Sequence, residues 1–184
     1  MSDTGWVNPG TMAQKDIGIS NSYWSNPDNV KTSDDSYATL VGDSELDIVS
    51  YYLVASNFNL SVPDATINGI EFRVECKDDT GSNQWDQGRI IDSSDTVLSQ
   101  NDRGDEAVNI TEKYIYFGSS TDLWGETWSY SDVNNSNFGC AVHERFYKTN
   151  ETFYVDHIQI KVYYTDSDTP TVGTGYPLPP FKNS

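Results

Sequence analysis

An all-β, antiparallel β-sandwich, jelly-roll-like and built from about eight strands, is the fold class that the sequence predicts. Three observations predict it. Aromatic residues reach 13% of the 184 residues while hydrophobic residues total only 36%, several segments alternate with period two, and no segment of helix length carries a 3.6-residue apolar period. The length suits one domain that buries an adequate core without metal or disulfide staples.

The elements follow in chain order. Residues 1–22 contain Gly, Pro, Asn and Ser without sustained periodicity and read as an extended N-terminal arm. YATLV at 37–41 and VSYYLVAS at 49–56 are short β-branched and aromatic runs, and so read as strands. In ATINGIEFRVECK, Ile70, Phe72, Val74 and Cys76 share one face, whereas Glu71, Arg73, Glu75 and Lys77 share the other. That is the signature of a strand wet on one side. GRIID and TVLSQ flank the DSSD turn at 92–95 as a hairpin, and EKYIYFG at 112–118 is a further strand.

Thr121 to Gly139, TDLWGETWSYSDVNNSNFG, joins that strand to SNFGCAVHERFY, whose Phe138, Cys140, Val142 and Phe146 face inward. Thr127 or Ser129 can cap a short helical turn, with Asp132 completing a capping box and Val133 returning to the core. Trp124 and Trp128 then close the open end of the sandwich, each indole N–H meeting a nearby carbonyl. FYVDHIQIKVYYT closes the domain, with Ile158, Ile160, Val162 and Tyr164 inward and His157, Gln159, Lys161 and Tyr163 outward. DSDTPTVGTGYPLPPFKNS, residues 166–184, carries four prolines and reads as an extended Pro/Gly-rich C-terminal arm, which leaves 23–165 as the domain.

The formal charge of −17 opposes approach to a phosphate backbone, so nucleic acid is a poor partner. The opening residues have neither a basic nor an apolar leader region, and no stretch approaches the roughly 18 apolar residues of a membrane helix. Synthesis in the cytoplasm without a signal peptide, and no membrane partner, are therefore expected. Cys76 and Cys140 both fall on inward positions and read as buried free thiols.

Four ordered elements carry a resemblance. They are the Asp35–Ala38 entry in YWSNPDNVKTSDDSYATL, the NFNLSVPDATINGI corner with Pro63 and Gly69, the DLWG…W…DVN…FG crossover, and the closing VDHI strand. Together they resemble an all-β domain of virion structural proteins in tailed bacteriophages, over residues 23–165. The resemblance implies a jelly-roll-like virion component with no catalytic residues to carry over. A capsid decoration or cement protein ranks first, held through its arms to the major capsid protein or to tail components. Trp6, Tyr176, Leu178 and Phe181 are the arm side chains that neighbouring grooves would bury. A homo-oligomer is expected, with a trimer compatible. The alternative is a tail fibre or baseplate protein that binds a receptor or carbohydrate, with Trp85, in its Gly/Ser/Asn/Gln loop, as the glycan contact.

Enzyme chemistry is not expected. Most of the 28 acidic residues lie on outward strand positions or in turns, and there is no HExxH, zinc spacing or GxSxG. His143 and His157 fall on outer strand faces and read as surface residues. Calcium is the ion best suited to the hard oxygen ligands, with Asp34, Asp35 and Asp156 as its ligand set, although no EF-hand loop is present. Arg103-Gly104-Asp105 and the Asn-x-Ser/Thr sites at Asn59, Asn109, Asn134 and Asn150 are short patterns without a secretory context.

Overall fold

Among the described residues of the computed structural model, two antiparallel sheets of five and four strands, one of them curled into a half-barrel, are accompanied by two two-stranded ribbons, with essentially no helix. The structure describes residues 1–16, 18, 20–42, 48–81, 84–98, 106–146 and 151–166. Tyr176, Leu178, Phe181, the Arg103–Asp105 tripeptide, Asn150 and the side chain of Phe146 lie outside the described residues.

In chain order the strands are β1 (Ser2–Asp3), β2 (Thr11–Lys15), β3 (Ala38–Val41), β4 (Ile48–Val49), β5 (Tyr52–Ser56), β6 (Ala65–Asp78) and β7 (Gln84–Trp85). They continue with β8 (Gln87–Ile91), β9 (Glu106–Ala107), β10 (Lys113–Gly118), β11 (Gly139–His143), β12 (Arg145–Phe146) and β13 (Thr152–Asp166), with the helical turn α1 (Tyr130–Val133) before β11. The larger sheet runs β1-β13-β6-β10, and β3 also pairs with β13; the smaller runs β2-β5-β11-β8.

The two long strands carry the periodicity expected of them. Ile70, Phe72, Val74 and Cys76 of β6 and Ile158, Ile160 and Val162 of β13 are buried, and meet Leu53, Ala55, Phe138, Cys140 and Val142 from the smaller sheet in one core. Both cysteines are free and buried, and burial pushes the Cys76 thiol up to about 12, which leaves it inert at neutral pH.

Three expectations need correction. The described residues hold five further strands of two residues each, too short to leave any alternation in sequence. The second half of the expected hairpin, described as far as Leu98, forms no strand among those residues but pairs through a bridge between Ile91 and Val97 and through the Leu98 amide, which donates to the Ile90 carbonyl at 3.0 Å. The N-terminal arm is stitched into both sheets: Ser2 and Asp3 pair with Tyr164 and Tyr163, Val7 bridges Ile160, and Thr11–Lys15 pair with β5. Trp6 accordingly lies on the parent sheet, half-buried, its ring 4.4 Å from both the Arg73 guanidinium and the Lys161 ammonium and edge-on to Tyr116. Backbone pairing and cation–π attraction outcompete an extended conformation there.

The histidines also differ from expectation. Both are buried. His157 points outward as its register requires, but the N-terminal segment covers it. Its ring nitrogens sit 3.0 Å from the Tyr114 hydroxyl and 3.1 Å from the Asn8 amide oxygen, and burial lowers its pKa. His143 lies 3.1 Å from the Asp86 carboxylate, and burial likewise lowers its pKa.

Candidate functional site

The crossover between β10 and β11 is a structural closure. Its first indole, Trp124, adopts φ 58°, held by its own N–H donating to Asp122 Oδ1 at 2.8 Å. The ring is buried, stacks on Phe72 at 5.6 Å, and donates its Nε1–H to the Ile70 carbonyl at 2.9 Å. Gly118, at φ 80°, lets the backbone pass beneath it: an added Cβ would lie 2.9 Å from the indole nitrogen. Trp128 packs edge-on against Phe138 and donates to the Leu123 carbonyl at 2.9 Å. Ser129 caps α1 in a reciprocal box with Asp132, and Val133 is buried behind it. The Ser129 hydrogen bonds hold the Asp132 carboxyl below the usual carboxylate range.

A cavity of about 190 Å³ lies beside this closure, with Asp92, Glu126 and Asp132 around the Trp128 edge. Two of its three carboxylates are committed to local structure. Asp92 accepts the Ser94 and Thr96 amides at 2.9 and 2.8 Å, and Asp132 caps α1.

Trp85, expected as an exposed sugar platform, is fully buried, 6.1 Å from Trp24 and 4.6 Å from Phe153. A lone indole in a polar loop has no period by which sequence could assign it to the core.

The expected cation ligands separate. Asp35 and Asp156 come together, but the third carboxylate is Glu112, whose oxygen lies within 4.8 Å of theirs. Asp156 is the extra residue where the β13 register shifts between Val155 and His157, so a bulge turns its side chain into a buried position. Burial, followed by the carboxylates of Glu112, Glu75 and Asp34, raises its pKa, against a 3.4 Å hydrogen bond from the Asp34 amide. The Asp34 side chain turns away to accept the Ser36 amide at 3.0 Å and the Thr32 hydroxyl at 3.1 Å. Glu112 is already engaged by the Lys77 ammonium at 3.0 Å and the Tyr37 hydroxyl at 2.8 Å. A hard cation would therefore compete with an internal ammonium for this trio, so the residues fit calcium incompletely.

No family model matches this chain, and no curated relative is found.

A group that sequence reasoning missed is Glu144, immediately after β11. It is fully buried, and among the described residues no side chain hydrogen-bonds to either carboxyl oxygen. Burial first, then the nearby carboxylates of Asp86 and Asp78, raise its pKa well above the ordinary 4.5. The folded state keeps this proton where the unfolded chain has lost it, so stability falls as pH rises from the unfolded value toward the folded one. Glu144→Gln, neutral and nearly isosteric, is expected to flatten that decline. Melting temperatures of the two proteins from pH 4 to pH 9 should coincide at the acid end and diverge toward the alkaline end, the variant melting higher. Parallel curves would show that Glu144 is ionised in the fold.

Proposed function

We propose that this chain is a structural component of a tailed-bacteriophage virion, a jelly-roll-like domain that decorates or cements the capsid. The reading rests on the order of the four sequence elements that resemble such domains. One observation carries it furthest: those elements interlock as fold-determining parts. Asn134 of the crossover accepts the Val62 amide at 2.9 Å and donates to the Val62 carbonyl at 2.8 Å, tying crossover to corner. Trp124 ties the crossover to β6, and Ala38, at the end of the Asp35–Ala38 entry, pairs with Val155 of the VDHI strand.

A non-catalytic role fits the commitment of Asp122, Asp132 and Asp92 to turns and caps. Partners would be other virion proteins, the major capsid protein or tail components, and further copies of this chain. With a charge of −17 the chain is unsuited to nucleic acid, and no described helix is long and apolar enough to cross a membrane. Because residues 1–15 join the sheets, attachment falls to the C-terminal segment with Tyr176, Leu178 and Phe181.

Purified full-length protein is expected to co-sediment with assembled shells or tails. A chain ending at residue 166 should keep its melting transition and lose most of that binding. Failure of the full-length protein to attach to any virion component would sink the proposal, and equal attachment by the shortened chain would sink the role of its C-terminal segment.

A further inference from the structure

A cavity of about 350 Å³ separates the N-terminal segment from the corner at residues 57–62, at the lower end of the roughly 300–1,000 Å³ typical of ligand pockets. Both walls are fixed by the backbone. On one side Asp3 and Thr4 follow the end of β13. Thr4 N donates to the Val162 carbonyl at 3.1 Å, the Thr4 hydroxyl accepts the Val162 amide at 3.1 Å, and Asp3 Oδ1 accepts the Gly5 amide at 2.8 Å. On the other side Asn57 and Asn59 both take φ 56°, Leu60 is buried, and Val62 is pinned by Asn134.

The lining has a particular chemistry. Val7 and Leu60 supply an aliphatic floor and Tyr164 a half-buried ring. Asp3 supplies a carboxylate, Asn59 an amide and Ser61 a hydroxyl, and no cation lines the groove among the described residues. Asn59 and Ser61 are exposed, and among the described residues their side chains, like the Tyr164 hydroxyl, engage no protein partner. Donors and acceptors therefore stand side by side over an apolar floor, on walls whose backbone is fixed. An anion would meet only the Asp3 charge. A ligand with alternating hydroxyls and an apolar C–H face satisfies every group at once.

We propose that this groove binds a neutral carbohydrate of one or two pyranose rings, with the sugar's C–H face on Tyr164 and its hydroxyls shared between Asn59, Ser61 and Asp3. The site does not depend on the virion reading, since the isolated chain would bind sugar whether or not it attaches to a shell.

The test is titration of the isolated ¹⁵N-labelled protein with glucose, galactose, mannose, N-acetylglucosamine and their disaccharides, with glucuronate and glucosamine as charged contrasts. At least one neutral sugar should saturably shift the Gly5 and Ser61 amides and the Asn59 side-chain amide, with affinity in the millimolar range. Asn59→Asp, which tolerates the left-handed backbone, and Ser61→Ala should each weaken binding by about three- to tenfold, one hydrogen bond's worth, with unchanged melting. The proposal is overturned if no neutral sugar shifts these signals, if a charged sugar binds more tightly, or if the shifts map to the crossover. Equal binding by both variants would overturn it as well. Should a variant melt early, the shift map of the unaltered protein still decides.

Discussion

Trp124→Ala is expected to lower the unfolding free energy by about 3–5 kcal/mol, the usual cost of truncating a fully buried large aromatic. Three losses combine. The indole fills the end of the core against Phe72, so its removal leaves a void that the surrounding strands cannot collapse into. The Ile70 carbonyl, on a fully buried residue, loses the Nε1–H donor that sits 2.9 Å away. The seat on Gly118 is emptied, and with it the contact that orders the residues between β10 and α1. Trp124→Phe keeps a ring but not the N–H, and should fall between alanine and the natural residue. Urea denaturation monitored by far-ultraviolet circular dichroism checks both variants. A loss of under about 1 kcal/mol for alanine would mean that the crossover does not close the core.

Gly139→Ala should be as damaging although it adds a single methyl group. Gly139 begins β11, the strand flanked by β5 and β8, and pairs with Ser56 and Ile91. A β-carbon there would lie inside 3.0 Å of the Ala55 carbonyl oxygen, and at 3.0 Å from the Ser56 α-carbon. No side-chain rotation relieves a clash with backbone, so two paired strands would have to part. The expected cost exceeds the roughly 1–3 kcal/mol of ordinary overpacking, and would appear as loss of soluble protein or a melting transition many degrees lower. A melting temperature matching the natural protein would refute the close approach of β5 and β11.

Much of this scaffold was legible in the sequence, for reasons that particular residues make plain. The alternation in β6 and β13 could be read because each strand is long and buried on one face. The Ser129–Asp132 box and the inward return at Val133 were readable because capping depends on spacing alone. What could not be read depends on contacts between distant segments. TMAQK forms β2 only because β5 offers it an edge. His157 is buried only because Asn8 crosses over it. Trp85 is internal because Trp24 and Phe153 surround it, and Glu112 replaces Asp34 beside Asp156 through its own position just ahead of β10. The groove beside Asn59 was invisible for the same reason: each of its walls looks like an ordinary turn.

The hydrogen bond between Thr4 and Val162 spans 158 residues of chain. On a ribosome the larger sheet cannot be completed until Thr152–Asp166 have left the exit tunnel, and until then Ser2, Asp3, Thr4 and Val7 lack the β13 backbone that they pair with. Such long-range closure places the molecule among slow folders, with refolding in milliseconds to seconds. In that interval the nascent chain presents an unpaired edge, which makes early contact with a chaperone or a sister chain the chief hazard of its biogenesis.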